Sequence, residues 1–323
     1  MRTAQGSTGA GGAWELVEGR PEPRLRGHIL GYRGFRQDLR QPRRRLEVPT
    51  DVLTLTIGFG APMRLLDAVS GGSRGSLVSS VAGLHRTASI GEHGGRMHGV
   101  AVSLTPRGAY AVLGPVAAEL ASQWADLRDV LGPPAAELVD RLAGASGWTL
   151  RFALLDAFFT ARLAAGHDWA PEVGLAWAGL RRSAGTVPVA RLAQESGWSL
   201  RRLQSRFRAQ VGLPPKQVAQ ILRLQRTLAA FVARPELTGA EIAALCGYYD
   251  QAHLDRTFRS MVGCSPGAFL GHRAAPAGAE PTDRLVGRIT TAVLPEEPLS
   301  LSYKTSHGWQ GESWPGPRGL RNR

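Results

Sequence analysis

Two segments near the C-terminal end of the chain carry the same spaced pattern of turn and core residues. In the first segment the pattern is formed by Gly197, Leu203, Phe207, Gly212 and Pro215. In the second segment it is formed by Gly247, Leu254, Phe258, Gly263 and Pro266. The second unit has one extra residue between its turn glycine and its leucine. A repeat of a turn glycine, two core residues at helical spacing and a closing Gly-x-x-Pro predicts two similar helix pairs.

Local signals in the first unit predict a helix-turn-helix. Ser199 is a good N-cap, since its hydroxyl can accept from a free amide of the first turn. Apolar residues recur at helical spacing after it until Gly212, and the two prolines that follow prevent continuation. The preceding short helix ends at Gly197, and Trp198 can fill the angle between the helices. The second helix is rich in Arg and Gln, as expected of a helix that reads DNA.

The segment between the two units predicts one long helix. Pro215 opens it at the first helical position and Pro235 follows its end. Its roughly 20 residues would span about 30 Å, close to the roughly 34 Å between reading helices in successive major-groove turns. A rigid connector of this length suits two readers on one face of the duplex. Thr238 and Glu241 form a predicted capping box for the next helix.

Positive charge is concentrated in the same region. The 323-residue chain has a net charge of +13. Residues 180–273 hold fourteen Arg or Lys against five Asp or Glu, a net charge of +9. Neutralisation of DNA phosphates explains such a bias, whereas a merely solvated basic surface would not predict that the charge coincides with the repeats. Arginine outnumbers lysine throughout the chain, so arginine identity alone carries less weight.

Residues 187–270 resemble the double helix-turn-helix domain of the AraC/XylS family of bacterial transcription regulators. The resemblance rests on A-x-x-x-G-W-S-x-R-x-L-x-x-x-F at 193–207, I-A-x-x-C-G-Y-x-D-Q-x-H-L-x-R-x-F at 242–258 and V-G-C-S-P-G-A-F at 262–269. It implies a cytoplasmic, nucleoid-associated protein that binds double-stranded promoter or operator DNA, responds to a small-molecule effector and forms a homodimer. RNA polymerase would be a further partner if the chain activates transcription.

The resemblance also implies which residues face DNA. In the first repeat Arg201, Gln204 and Ser205 would reach base edges, and Arg202 and Arg208 would meet phosphate. In the second repeat Gln251, Asp255 and Arg256 match DNA-facing positions, and Arg259 would add affinity. Asp255 could accept a hydrogen bond from a cytosine amino group, or it could pair with Arg259 at i+4. The pair is favoured because it needs no particular base.

The length allows two domains, and the expected class is multi-domain α+β. Residues 1–24 are predicted to be a disordered tail. Residues 25–183 are predicted to be an effector-binding and dimerisation domain, a cupin-like or sandwich β-rich region to about 105 with accessory helices after it. The DNA-binding domain would span 184–272, with a hinge at 184–186. Residues 273–323 would be a linker and tail of unknown role, with two β-like runs at 288–293 and 299–303.

Strands are expected at 51–60, 77–85, 87–93 and 97–104, with a turn at 91–95. A short helix or turn is expected at 105–114, and helices are expected at 115–127, 133–145, 148–166 and 171–183. The helix at 148–166 is the most apolar of these. Three residues, Phe152, Leu155 and Phe159, widen an apolar face that recurs at helical spacing: Leu150, Ala153, Leu154, Ala157, Phe158 and Ala161. Packing beneath the β-rich region is the favoured role for this helix, and a subunit interface is the alternative.

Four residues in the β-rich region invite a metal-site hypothesis: His85, Glu92, His93 and His98. Histidine and carboxylate side chains on neighbouring strands can ligate zinc. Against this, Glu92 and His93 fall in the predicted turn, where water would solvate them. Solvated or hydrogen-bonded histidines are favoured, and no metal or other cofactor is expected.

No catalytic residues are expected, so the chain is predicted not to be an enzyme. A single G-x-S-x-G at 71–75 lies in a Gly/Ser-rich turn without a helix pattern after it. A DNA-repair or DNA-modifying protein with a similar DNA-binding domain is the alternative, but it needs a cysteine cluster, and residues 1–245 contain no cysteine. An enzyme acting on a small apolar substrate would need a convergent polar pocket. No apolar run approaches the roughly 20 residues of a membrane span, and the N-terminus lacks a signal-peptide core.

Overall fold

The computed structural model describes residues 1–7, 12–273, 284–285 and 288–294. Within them the strands, in chain order, are β1 (Arg2–Ser7), β2 (Ala13–Gly19), β3 (Ile29–Asp38), β4 (Arg43–Glu47), β5 (Leu53–Gly58), β6 (Met63–Asp67), β7 (Ser73–Leu77), β8 (Ser80–Ala82), β9 (Ser89–His93), β10 (Arg96–Leu104), β11 (Trp124–Asp126), β12 (Arg284–Leu285), β13 (Arg288–Ile289) and β14 (Thr291–Leu294). A 3-10 helix spans Pro23–Leu25.

The helices are α1 (Pro106–Leu113), α2 (Val116–Glu119), α3 (Leu127–Leu131), α4 (Pro133–Gly144), α5 (Trp148–Ala164), α6 (Pro171–Arg182), α7 (Val189–Glu195), α8 (Leu200–Val211), α9 (Pro215–Ala233), α10 (Gly239–Leu245), α11 (Gln251–Val262) and α12 (Pro266–Arg273). Among the described residues, no helix combines the length and the apolar character needed to cross a membrane. The expected class, an α+β chain with a β-rich region before an all-α region, is confirmed.

Two antiparallel sheets form the N-terminal region, which we call the β domain. The larger sheet has the order β1-β2-β3-β10-β5-β8-β11, and the smaller has the order β14-β4-β9-β6-β7. Side chains from both sheets line one internal cavity. The sheets therefore face each other as a sandwich, and the strands expected at 51–60, 87–93 and 97–104 are confirmed.

The outer face of the larger sheet is covered by α5. The ring of Phe152 stacks on that of Tyr32 at 5.6 Å, and the Tyr32 hydroxyl donates to Asp156 Oδ1 at 2.8 Å. The Trp148 ring lies over Gly34, where a Cβ atom would come within 2.3 Å of it. Packing beneath the β domain, the favoured role for this helix, is confirmed.

Of the wide apolar face predicted for α5, the structure buries only the three residues that widen it. Phe152, Leu155 and Phe159 are buried, whereas Leu150 is 48% exposed. The remaining residues at the predicted helical spacing are exposed or half-buried: Ala153, Leu154, Ala157, Phe158 and Ala161. The helix is apolar around most of its circumference, so its periodicity could not decide which side meets the sheet.

The predicted disordered tail at 1–24 is also wrong. β1 pairs with β2, and β2 pairs with β3 in the larger sheet. Leu16 and Val17 are buried in this sheet. The Gly-, Ser- and Ala-rich composition of residues 1–12 suggested disorder, but strand pairing orders β1, and burial of apolar residues in β2 stabilises the pair.

Two further local predictions fail. The helix expected at 115–127 stops after α2, Ser122 has a φ of 60°, and β11 then pairs with β8. The turn expected at 91–95 is confined to its last two residues, because Glu92 and His93 belong to β9 and pair with β4. In both places a strand partner distant in sequence overrides the local pattern.

The chain returns to the β domain after the helical region. β14 pairs with β4, with Thr291 opposite Glu47. The Arg273 guanidinium, at the end of α12, donates to the Thr291 carbonyl oxygen at 3.0 Å. The β-like run expected at 288–293 is therefore confirmed, whereas the run at 299–303 lies outside the described residues.

Candidate nucleic-acid interface and ligand cavity

The first helix-turn-helix, formed by α7 and α8, is built from the predicted local signals. The Ser199 hydroxyl accepts from the Arg202 backbone N–H and caps α8. Gly197 makes the turn with a φ of 70°, a conformation that favours glycine. Leu203 and Phe207 have no exposed surface. These contacts fix the orientation of α8 and direct its polar side to solvent.

All five residues predicted to contact DNA in this unit are exposed on α8: Arg201, Arg202, Gln204, Ser205 and Arg208. The guanidinium of Arg202 lies 4.6 Å from the centre of the Trp198 ring. This cation–π contact holds the charge beside the helix N-terminus. No ion pair within the described ranges occupies the arginines of this set, so their charges can meet phosphate.

The second helix-turn-helix, formed by α10 and α11, has the same construction. The predicted capping box of Thr238 and Glu241 is present at the start of α10. Asp250 caps α11 by accepting from the His253 backbone N–H at 2.6 Å. Leu254 and other core residues of α11 are buried as in α8.

The predicted DNA-facing residues of this unit are less uniformly exposed. Arg256 and Arg259 are exposed, whereas Gln251 and Asp255 are half-buried. The Gln251 amide lies over the first turn of α10, because a Cβ atom at Gly239 would come within 2.7 Å of its Cδ atom. Gln251 is therefore held by packing before any DNA is bound.

The favoured interpretation of Asp255, a pair with Arg259, stays a prediction, because the Arg259 charge acts on its carboxyl without a close contact. Among the described residues there is no ion pair between Asp255 and Arg259. Burial raises the pKa of the Asp255 carboxyl, and the more distant Arg259 charge only opposes this. The Arg259 side chain is exposed, and an exposed i,i+4 pair gains little free energy over solvation in water.

The two units are joined by α9, which is 19 residues long and therefore about 28 Å. Its Arg223 guanidinium donates to the Gly185 carbonyl oxygen at 3.1 Å. A Cβ atom at Gly185 would come within 2.1 Å of the Ala219 carbonyl oxygen. The predicted hinge at 184–186 is therefore packed tightly on α9 rather than separated from it.

A family model described as a helix-turn-helix domain matches residues 192–272. The match covers both units and the connecting helix. Residues 192–272 form an AraC-type helix-turn-helix domain. No curated protein matches the chain significantly.

Solved structures that are similar to this chain include ToxT from Vibrio cholerae O395. It has 10% identity over 74% of this chain and 96% of that chain, at a TM-score of 0.40. The unsaturated-fatty-acid-bound ToxT from Vibrio cholerae strain SCE256 has 11% identity over 79% and 94% of the two chains at a TM-score of 0.41. The AraC-like transcriptional activator CuxR has 10% identity over 76% and 80% at a TM-score of 0.17.

A cavity of about 220 Å³ lies between the two sheets, outside the AraC-type domain. Its wall is mixed: apolar side chains from both sheets surround it, and arginine, histidine and hydroxyl groups interrupt them. Arg33 and Arg45 line it from opposite sheets. A partly open cavity with a few inward polar groups is typical of a small-molecule site.

The four residues considered for a metal site do not converge. Glu92 pairs with Arg44 and Arg64, and the His98 ring packs between Phe59 and Trp148. The described residues contain no group of three or more His, Cys, Asp or Glu side chains placed to hold a metal.

The other two members of that set line the cavity. The His85 ring lies 3.7 Å from that of Trp124, and burial lowers the pKa of His85 to about 3. His93 is 6% exposed. The expectation that His93 is solvated in a turn is wrong, because β9 carries it into the sandwich.

Residues 83–88, which we call the contact segment, join the cavity to the AraC-type domain. Gly83, His85 and Thr87 line the cavity. At the end of the segment, the Ala88 backbone N–H donates to the Met261 carbonyl oxygen of α11 at 2.6 Å. One short stretch of backbone thus touches both the cavity and α11, the second helix of the second helix-turn-helix.

The end of α8 also contacts the β-domain side of the molecule, through residues 118–121 next to the contact segment. A Cβ atom at Gly83 would come within 2.0 Å of the Leu120 carbonyl oxygen, just after α2. Gly212, at the end of α8, packs on Ala118 and Ala121 of the same region, at 3.3 and 3.2 Å from its Cβ position. The C-terminal ends of both reading helices therefore rest on elements attached to the contact segment.

Sequence reasoning did not identify Arg33, Arg45 or Trp124 as cavity residues. The alternation of polar and apolar residues in β3 and β4 indicates which side chains share a face. It does not indicate which face encloses a cavity, since that depends on how the two sheets pair.

Proposed function

We propose that the chain is a sequence-specific DNA-binding transcription regulator whose DNA affinity changes when a small molecule occupies the cavity of the β domain. DNA binding is supported by the AraC-type domain and its exposed arginines. The response to a ligand is supported chiefly by the contact segment, which lines the cavity and donates a hydrogen bond to α11. A ligand that shifts this segment would shift the support of both reading helices. On this proposal the chain has no enzymatic role.

The DNA-binding part is tested with the full-length chain and duplexes selected from random-sequence DNA. We expect the selected duplexes to share a motif. The slope of log K against log salt should be steep, because each phosphate contact contributes about 0.9. Binding that does not depend on salt would contradict the proposal.

Matched arginine variants separate base readout from phosphate contact. Arg201→Ala should relax the preference at one base pair, by about 1–3 kcal/mol. Arg208→Ala should weaken binding to all sequences alike and reduce the salt slope by about 0.9. Arg64→Ala, at an exposed arginine of the β domain, is the control and should change neither property. Equal effects of the Arg201 and Arg208 variants would refute the assignment.

The ligand response is tested by screening small molecules for a rise in melting temperature and then measuring the DNA affinity with each hit. We expect a hit to change the affinity at least about fivefold, a typical coupling between sites. Ala101→Leu, which adds volume to the cavity wall, should abolish both the rise in melting temperature and the change in affinity. If a hit raises the melting temperature but leaves the DNA affinity unchanged, the cavity binds small molecules and the proposed ligand response is wrong.

A further inference from the structure

The extra residue of the second helix-turn-helix is Tyr249. The backbone N–H groups of Trp198 and Tyr248 each donate to the carbonyl oxygen five residues earlier, at 3.1 and 2.9 Å. The two turns therefore match as far as these aromatic residues. After Trp198 the first unit continues directly with its N-cap, Ser199. The second unit has Tyr249 between Tyr248 and its N-cap, Asp250.

The fold fixes the backbone of Tyr249 but leaves its side chain in solvent. On one side Tyr248 is 6% exposed, and on the other side Asp250 caps α11. The Tyr249 backbone N–H donates to Nδ1 of His253 at 3.4 Å. Tyr249 itself is 93% exposed, more than any other large apolar residue in the described part of the chain. A tyrosine can bury about 150–250 Å², so this turn presents a large contact surface that the fold does not use.

Tyr249 adjoins the end of α11 that is expected to meet DNA. Gln251, the first residue of α11, matches a DNA-facing position, and Arg256 is exposed further along the helix. In a helix-turn-helix, the N-terminal residues of the second helix contact base edges. A side chain just before that end lies beside the flanking phosphates, and tyrosine hydroxyls are among the groups that bind phosphate. The position of Tyr249 therefore favours contact with the DNA backbone.

The two helix-turn-helix units differ in the charge that they offer to this backbone. The helix α8 has four arginines and no acidic residue, a net charge of +4. The helix α11 has two arginines and Asp255, a net charge of +1. Its N-cap Asp250 is a further negative group, whereas Ser199 is neutral. The second unit therefore attracts phosphate less strongly through its charges, and a neutral hydroxyl donor adds to its affinity by another route.

We propose that Tyr249 is a DNA contact of the second unit. Its hydroxyl donates a hydrogen bond to a phosphate oxygen beside the base pairs that face α11, and its ring packs on the sugar of the same nucleotide. Because the side chain is neutral, the contact contributes affinity without base preference and without salt dependence. The proposal rests on the proposed function, since it requires that the chain binds duplex DNA through both units.

The test measures the affinity of the full-length chain for its selected duplex in variants of Tyr249. Tyr249→Phe should weaken binding about 2- to 12-fold, the loss of one hydrogen bond. Tyr249→Ala should weaken it further, because the ring contact is also lost. Deletion of Tyr249 should weaken it at least as much, and the deletion restores the spacing of the first unit, so the turn can still form. Leu175→Ala, at a 57% exposed residue of α6, is the control and should leave the affinity unchanged.

The neutral character of the contact gives it a signature. The substitutions at Tyr249 should keep the salt slope and the base preferences of the wild type, whereas Arg259→Ala should reduce the slope by about 0.9. Replacement of single phosphates of the duplex by neutral methylphosphonates locates the contact. At one phosphate beside the base pairs that face α11, this replacement should weaken binding of the wild type more than that of Tyr249→Phe.

Wild-type affinity in both Tyr249→Ala and the deletion variant would overturn the proposal. If transcription from the bound DNA still fell in these variants, Tyr249 would contact a protein instead. A changed salt slope, a changed base preference or a lower melting temperature in Tyr249→Ala would also overturn it, the last because the ring would then stabilise the fold. If the wild type binds no duplex selectively, the proposed function fails and this contact with it. If the wild type binds selectively and the Tyr249 variants match it, only this contact fails.

Discussion

The contact between α11 and the β domain can be tested by adding one methyl group at Gly263. This glycine ends α11 with a φ of 85°, and a Cβ atom there would come within 2.4 Å of the Ala68 carbonyl oxygen. Gly197, in the turn before α8, provides a matched control. It has a φ of 70°, but a Cβ atom there would meet nothing within 4 Å. Both alanine variants impose left-handed strain, and only Gly263→Ala also presses on the β domain.

We expect Gly263→Ala to lose more stability than Gly197→Ala, by the free energy of the contact between α11 and the β domain. Left-handed backbone costs about 1–2 kcal/mol for a residue with a Cβ atom, so Gly197→Ala should lower the free energy of unfolding by that amount. At Gly263 the backbone must also move away from Ala68, which breaks the nearby hydrogen bond from Ala88 to Met261. An unsatisfied backbone N–H costs a further 1–3 kcal/mol, approximately. Gly263→Ala should therefore lower the free energy of unfolding by about 2–5 kcal/mol in total.

Urea unfolding measures the two losses, and amide hydrogen exchange shows where the second arises. The Ala88 amide should exchange about 5- to 150-fold faster in Gly263→Ala, the factor that corresponds to 1–3 kcal/mol of local opening. Its rate should not change in Gly197→Ala. Equal losses of stability, with the Ala88 amide equally protected in both variants, would refute the idea that α11 is held by the contact segment.

Two further predictions concern single charged groups. The pKa of His93 is about 4 in the folded chain, against an ordinary value of 6.5. Below pH 6.5 the unfolded chain therefore binds a proton that the folded chain does not. The free energy of unfolding should fall as pH falls, by about 2 kcal/mol between pH 7 and pH 5. Urea unfolding at both pH values should show a loss that is about 2 kcal/mol smaller in His93→Gln than in the wild type, since His85, with a pKa of about 3, still contributes its own loss in the variant. An identical pH dependence in both would contradict this. Because the described side chains of Asp255 and Arg259 form no ion pair, we expect Asp255 to accept a hydrogen bond from a cytosine amino group. Asp255→Ala should then change the preferred base at one position of the second half-site in a binding-site selection, and an unchanged preference there would exclude this contact.

The AraC-type domain could be predicted almost residue by residue because its signals are local. The caps at Ser199 and Thr238 and the turn at Gly197 each depend on neighbours within a few positions. The core residues Leu203 and Phe207 follow from helical periodicity. Such features require no knowledge of how distant segments meet.

The cavity could not be predicted in the same way. Arg33 and Arg45 become neighbours only because β3 and β4 belong to different sheets that face each other. His93 is buried because β4 and β6 flank its strand, whereas its glycine-rich surroundings indicated a turn. The β-rich character of the domain was therefore predictable, but the residues that share its interior were not.

The pairing of β14 with β4 also affects the order in which the chain can fold during synthesis. Glu47 emerges from the ribosome long before its partner Thr291, a delay of about 12–50 s at typical rates of elongation. Throughout this time β4 has an unpaired edge, and such edges promote aggregation. The cavity also lacks the wall that Thr290 and Thr291 provide. The β domain therefore acquires its last strand only after α8 and α11 have been made, and a chain that ends with the AraC-type domain would keep that edge exposed.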